Sequence, residues 1–349
     1  MRITDQMMYQ NMAQNIDQSQ SAYVRTAQEA SSGVSISQPS DNPVGTALVL
    51  QLQAAQSQVT AWQSNANAAQ SQMQSGDQTL SQIQSDLSTA ESLATQAGSG
   101  SVTTANLQDM SQQAGSILSD VAALFNTQYA GQYIFSGTAQ QAPVSGPDGS
   151  GNYAVSSEQT GAGVTSQTVE IGRGVTLPTT VDASRVLGGQ TYTYTAAGQD
   201  VSAMPSWMQQ RAEALGQVTA GSPPKTTSQV TPSAPATYGT SLINILGYLQ
   251  QDLASGNTAA VEADLGALQG QGATLSSVQA ALGANMDRVQ AALSQLQTTS
   301  GTLQNQQGGI QNVDMAQVIS QLTAEQTAYQ AAIAASAQMK LPTLATYLS

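Results

Sequence analysis

Residues 52–94 read LQAAQSQVTAWQSNANAAQSQMQSGDQTLSQIQSDLSTAESLA. Within them Leu52, Ala55, Val59, Trp62, Ala66, Ala69, Met73, Gly76, Leu80, Ile83, Leu87, Ala90 and Ala94 recur by alternating steps of three and four. That spacing is the heptad seam of a helix that buries one narrow stripe, and only Gly76 lacks an apolar side chain in it. A helix over about 43–95 would run ~80 Å at 1.5 Å per residue, much longer than a typical globular helix. It needs long partners. One follows the Gly98-Ser99-Gly100-Ser101 break, where Leu107, Met110, Ala114, Ile117, Val121 and Leu124 keep the spacing and Thr103 or Thr104 can cap the start. This predicts an antiparallel hairpin. The other partner lies far along the chain, where Leu268, Leu275, Val278, Leu282, Val289, Ala292, Leu296 and Leu303 carry a comparable stripe. Ala and Gly are as common in the seams as large residues, so area buried per turn is small and stability must come from length.

Between these helical zones, from about 135 to 238, the sequence turns rich in Gly, Thr, Ser and Pro. Thr168 to Ile171, Val175 to Leu177 and Thr191 to Thr195 read as strands, and Gly221 to Pro235 as an extended return or loop. Asp148-Gly149-Ser150-Gly151-Asn152 places oxygens at alternate positions as a calcium loop does. However, Tyr153 stands where such a loop needs Gly and Gln159 where it needs a bidentate Glu, so the stretch reads as a hairpin turn. Glycines 146, 149 and 151 do not join a strand to a helix, which removes a phosphate cradle.

Both ends are amphipathic. Ile3, Met7, Met8, Met12, Ile16, Tyr23 and Val24 stripe the first ~30 residues, and Val318, Ile319, Leu322, Tyr329, Ile333 and Leu341 the last ~35. An isolated helix of this kind is marginal in water, so each stripe packs on its counterpart or is kept for another subunit. Between the first helix and the long one stands the loop Pro39-Ser40-Asp41-Asn42-Pro43, in which Asp41 or Asn42 can cap and Pro43 suits the first helical turn.

Composition narrows the function. Of 349 residues only 8% are charged, against roughly 25% in an ordinary soluble protein, and Gln, Ser, Thr and Asn supply the polar surface. The net charge is −13 and the eight basic residues are scattered, which disfavours nucleic acid. His and Cys are both absent, so thiolate nucleophiles, imidazole bases and the usual zinc and copper ligands are missing. A carboxylate-only hydrolase survives that exclusion, but no acidic pair is singled out. The expectation is no enzyme, no cofactor and no metal. No apolar run reaches the ~20 residues of a membrane span, and the start lacks a cleavable secretion signal. The scarcity of charge also suits acidic surroundings, where carboxylates titrate and salt bridges lose value.

Taken together, MRITDQMMYQ at the start, SSGVSISQPSDNPVGTALVLQLQ after the first helix, GQYIFSGT closing the hairpin and VDMAQVISQLTAEQTAYQAAIAASAQMKLPTLATYL at the end resemble a flagellin-type protein. More narrowly, they resemble the flagellar junction proteins that join hook to filament. The likeness covers about 240 residues at both ends; in the insert it is loose, through VEIGRGVTLPTTVDASRVLG. Junction proteins of this type usually carry two acids in the Pro-Ser-Asp-Asp-Pro loop, and here Asn42 replaces the second. The resemblance implies a mainly α fold, a long antiparallel bundle or coiled coil built from both termini, with a mostly β outer domain inserted. Its expected divisions are terminal helices over 1–37 and 312–349, a long-helix bundle over 38–138 and 238–311, and the insert over 139–237.

It also implies a structural adaptor in a homo-oligomeric ring at the hook–filament junction outside the cell, with a hook-associated junction protein on one side and flagellin on the other. Export would proceed without a cleaved signal, through the flagellar type III channel, with a cytoplasmic chaperone on the C-terminal helix. The expected subunit interface comprises Ile3, Met7, Met8, Met12, Ile16, Tyr23, Val318, Ile319, Leu322, Tyr329, Ile333 and Leu341, helices that fold as they assemble. No nucleic-acid or membrane partner is expected. Two alternatives remain: flagellin itself, against which stand Met7-Met8-Tyr9 and the paired Pro39 and Pro43, and a secreted adhesin or carbohydrate-binding protein using Tyr192, Tyr194 and Trp207 as an aromatic platform.

Overall fold

The computed structural model describes residues 5–99, 102–138, 141–148, 153–156, 166–180, 187, 191–194, 204–215 and 236–338. The fold is mainly α, with long helices from both ends of the chain and short antiparallel strand pairs in the middle. Contacts divide it into two compact units, one formed by 1–61 with 297–349 and the other by 62–296.

The long helix α2 runs Pro43–Gly98, and α6 runs Thr258–Gln311. In the second unit the predicted seam of α2 is buried: Ala66, Ala69, Met73, Leu80, Ile83, Leu87, Ala90 and Ala94 are all at or below 2% exposure. Facing it, α6 buries Leu268, Leu275, Val278, Leu282, Val289 and Leu296. The two run antiparallel, because Gln84 bonds Ser276, Gln279 bonds Ser81 and Asp77, and Gln70 bonds Gln290. Amides and hydroxyls then meet across the groove where a charged coiled coil would place Lys and Glu.

The third helix, α3 (Thr104–Phe125), is capped by Thr103, whose side chain accepts from Asn106 N. Its buried stripe includes Leu107, Met110, Ala114, Leu118, Val121 and Phe125; Ile117 and Leu124, expected in the seam, are only half-buried. The stripe packs on α5 (Leu242–Ser255), a helix with its own cap at Ser241 and a buried face of Leu242, Ile243, Ile245, Leu246, Leu249 and Leu253. Approach is tight at Gly115, where a Cβ would fall 2.8 Å from Gln250 Nε2, and the Ser111 hydroxyl donates to Gln250 O at 2.9 Å.

After α3, the strands β1 (Gln128–Tyr129) and β2 (Gln132–Tyr133) form a hairpin whose turn residues Ala130 and Gly131 both have positive φ, 50° and 82°. The hairpin leads Ile134 and Phe135 back into the core, where Phe135 meets Phe125 edge to face at 5.4 Å. Asn126 ties on the next segment, its side-chain amide donating to Val144 O and accepting from Val144 N.

In the middle region β3 (Val144–Ser145) pairs with β4 (Ala154–Val155), and β5 (Thr168–Gly172) with β6 (Val175–Pro178). β7 (Thr191–Tyr194) pairs with β8 (Ala236–Gly239). These are two-stranded ribbons. The expected strands at Thr168 and Val175 are thus present, while the loop at 149–152 and the stretch 221–235 lie outside the described residues. One element departs from the expectation of strands and turns: Ser206–Ala214 forms a helix, α4, after Pro205, and buries Met208, Arg211 and Ala212. Trp207 therefore sits on a helix and packs against the core rather than on a platform; the side chains of Tyr192 and Tyr194 lie outside the described residues.

Candidate assembly interface

In the first unit α1 (Asp5–Ser32) packs along α7 (Met315–Gln338). Two short connections make the pairing possible. Glu29 O accepts from Gly33 N and Gly33 closes α1 in the left-handed conformation at φ 71°, so the chain turns sharply off the helix. Val34 then bridges antiparallel to Asn312, Ser35 N donates to Gln311 O at 2.7 Å, and Val313 N donates to Gly33 O at 3.1 Å. Both breaks between terminal and long helices thus lie side by side and satisfy each other's backbone groups. Asp314 restarts the helix, its carboxylate accepting from the amides of Ala316 and Gln317.

The loop Pro39–Pro43 divides its two polar side chains between two tasks. Asn42 Oδ1 accepts from Gly45 N at 2.8 Å and caps α2, with Pro43 in the first turn. Asp41 Oδ2 accepts from the backbone of Ser37 and Gln38 and from the Ser37 hydroxyl. The Gln38 amide, with the Ser37 donors, holds the Asp41 carboxyl below the usual carboxylate range. On α1, Arg25 pairs with Glu29 one turn on, which raises the guanidinium further.

The expected interface residues fall into three groups. Tyr23 and Tyr329 stack within the chain, rings parallel to 4° with centroids 6.3 Å apart, and Met12, Ile16 and Leu322 are half-buried while Val318 is buried. Met7, Ile319 and Ile333 are exposed at 55%, 54% and 43%. Ile3 and Leu341, and the side chain of Met8, lie outside the described residues. Stripes that sequence alone leaves either paired or reserved are therefore split: one edge of each helix faces its counterpart and another faces out. Periodicity missed Val44, Leu48 and Leu50 at the start of α2, which are exposed at 80%, 45% and 60%, and Met315 on α7. Their signal was present, since Val44 and Leu48 are four apart just inside the cap, but it resembled core.

Nine large hydrophobics are exposed among the described residues. Eight lie in this unit and only Val175 in the other. Conversely, the buried hydrophobics of this unit are Val49, Val59 and Val318, while the second unit holds the continuous core. Among the described residues no cluster of acidic side chains can hold a metal, and no helix is long and apolar enough to cross a membrane.

The architecture has known counterparts. It resembles a protein classed as flagellar hook-associated from Vibrio parahaemolyticus, at 18% identity, 78% of this chain, 100% of that one and a TM-score of 0.57. It also resembles hook-associated protein 3 from Legionella pneumophila, at 15% identity, coverages of 74% and 97% and a TM-score of 0.54. FlgL of Xanthomonas campestris matches at 14% identity, coverages of 74% and 99% and a TM-score of 0.53. No curated protein sequence matches the chain significantly. The bacterial flagellin N-terminal helical region matches residues 3–140 and the C-terminal helical region residues 265–348. The first match holds α1 and α2 and the second holds α7 and most of α6, the partners they meet here, and with both halves present in order the chain belongs to the flagellin family.

Proposed function

We propose that the chain is a structural adaptor subunit that joins the flagellar hook to the filament. The observation that carries this reading is the concentration of exposed apolar side chains on the terminal unit, beside a second unit whose core is closed. An apolar edge left on an already paired helix assembly is surface for a neighbour. Ring formation follows if Met7, Ile319, Ile333 and the start of α2 meet other subunits, while Tyr23, Tyr329 and Val318 hold α1 to α7 within each chain. Folding upon assembly is then confined to the outer edges, since the helix pair forms within one chain. The hook side would meet a hook-associated junction protein, the filament side flagellin, and the C-terminal helix an export chaperone before secretion to the cell exterior. Catalysis has no part in this role.

The junction assignment over a filament subunit rests on the likeness of the fold to hook-associated proteins and on the start MRITDQMMYQ with Pro39 and Pro43. Immunogold labelling of flagella tests it. A single band between hook and filament is expected; label along the whole filament would make the chain a flagellin, and no label on flagella would overturn the flagellar role.

A further inference from the structure

Arg211 of α4 reaches into the second unit and meets two carboxyls and a ring. Its Nε donates to Asp252 Oδ2 of α5 at 2.8 Å and lies 3.3 Å from Asp264 Oδ1 of α6, while the guanidinium carbon sits 4.2 Å over the Tyr248 ring. The side chains of Arg211, Asp252 and Asp264 are exposed by 3%, 2% and 0%. No substrate reaches a cluster sealed in this way, so its role is internal.

Charge counting decides what it does. One guanidinium cannot balance two buried carboxylates, and an uncompensated charge away from water is costly. One of the two carboxyls therefore holds a proton. Among the described residues no donor hydrogen-bonds to either oxygen of Asp264, so Asp264 is the natural holder of that proton. The titratable and charged groups facing it are Asp252 and Tyr248 of α5 and Arg211 of α4. Burial, with the Asp252 charge adding to it and Arg211 opposing, pushes the Asp264 carboxyl up to about 9. Burial also raises Asp252.

Neutral contacts converge on the same spot: Asn257 Nδ2 donates to Ala214 O at 3.0 Å, closing the end of α4, and Gly239 N of β8 donates to the Tyr248 hydroxyl at 2.7 Å. The chain on both sides of residues 216–235 is thereby tied to α5 and α6.

We propose that Arg211, Asp252 and Asp264 form an acid-strengthened latch, in which one guanidinium and two carboxyls sharing one proton hold α4 on the bundle and loss of that proton loosens it. The sign follows from where the proton leaves. In the unfolded chain Asp264 loses it near 3.8, and in the folded chain near 9. Between those values the folded state binds the extra proton, so stability of the latch falls as pH rises across that window and is greatest below it. This inference stands apart from the flagellar reading and uses none of its residues.

The test is urea unfolding of the full chain from pH 4 to 9, with hydrogen exchange of the peptide 204–215 corrected for its intrinsic rate. In the wild type the opening equilibrium of α4 should rise by up to tenfold per pH unit, the limit for one linked proton. Asp264→Asn, neutral and of the same shape, should flatten that slope. Equal slopes in wild type and variant, or protection that grows with pH, would overturn the latch. Should the variant not fold, carboxyl 13C titration of Asp264 in the wild type decides: a midpoint above 6 supports the proposal and one below 6 ends it.

Discussion

Val318 and Ile319 are neighbours on α7 with opposite surroundings, 6% and 54% exposed, and an Asp at each separates folding from assembly. At Val318 the substitution removes about 1.5 kcal/mol of apolar burial. It also places an unpaired carboxylate in a dry site, which costs several kcal/mol more. Few other buried side chains support the terminal unit, so a loss of more than about 3 kcal/mol is enough to unpair α1 from α7. At Ile319 roughly half the side chain is already covered, and surface substitutions of this kind change fold stability by within about 0.5 kcal/mol. In an assembly, however, the exposed half is worth about 1 kcal/mol when buried, and a carboxylate there adds a desolvation penalty of a few kcal/mol at every repeat of the contact. Together these weaken each contact by about a hundredfold or more. Far-UV circular dichroism and sedimentation velocity of purified chains read the first effect, and incorporation at the hook tip in a strain lacking its own copy reads the second. Val318→Asp should lose helicity up to the share carried by the 28 residues of α1 and 24 of α7. Ile319→Asp should keep wild-type helicity and fail to incorporate. Normal incorporation of Ile319→Asp refutes the outward-facing edge as an interface, and unchanged helicity in Val318→Asp refutes the pairing within one chain.

Three other substitutions probe the scaffold. Asn42→Ala removes the cap of α2 and should cost about 1 kcal/mol, seen as roughly fivefold faster exchange of the Val44–Thr46 amides; unchanged exchange would shift the cap elsewhere. Ala130→Gly relieves a non-glycine residue at φ 50° in the β1–β2 turn and should raise stability by about 0.5–1 kcal/mol in urea unfolding, whereas a loss would mean the turn gains more from reduced chain entropy than it pays in strain. Leu80→Ala, at a seam position 1% exposed, should cost 2–5 kcal/mol; less than about 1 would show that the α2 seam is loosely filled.

The α2 seam was legible because a heptad is a local statement: each residue declares its face by its distance from the next. The caps were legible for the same reason, but only as pairs, Thr103 or Thr104 and Asp41 or Asn42; the structure selects Thr103 and Asn42, and Asp41 turns back onto Ser37 and Gln38. What escaped was non-local. α4 is nine residues in a Gly- and Pro-rich stretch, where Pro205 reads as a turn and Met208, Arg211 and Ala212 are too few to establish a period. The latch joins Arg211 to carboxylates 41 and 53 positions away, and no spacing rule connects them. Nor can periodicity tell which edge of an amphipathic helix meets its own chain and which meets another. Val318 and Ile319 belong to one stripe in the sequence, and only the placement of α1 makes one core and the other surface.

The scarcity of charge has a physical consequence that the bundle makes testable. Across α2 and α6 the described polar contacts are amide to amide or amide to hydroxyl, as at Gln70 with Gln290, Gln84 with Ser276 and Gln56 with Ser300, apart from Gln279, which also donates to the Asp77 carboxylate. The amide and hydroxyl contacts carry no net charge, so salt does not screen them. Among the described residues the ion pairs are Arg25 with Glu29, exposed and worth little, and the sealed pairs of Arg211, which salt does not reach. Raising sodium chloride from 0.05 to 1 M should therefore move the unfolding free energy of the chain by less than about 1 kcal/mol. A coiled coil built on Glu and Lys at its flanks would shift by several such pairs. Acid separates the two charged sites instead: protonation of Asp41, whose carboxyl is held low by its hydrogen bonds, removes its contribution to the loop only as pH falls through that lowered value, while the latch at Asp264 is tightest there. Exchange at Ser37 and Gln38 should then quicken at low pH as that of α4 slows. Parallel changes at both places would mean that acid acts on the fold as a whole and not through these two carboxyls.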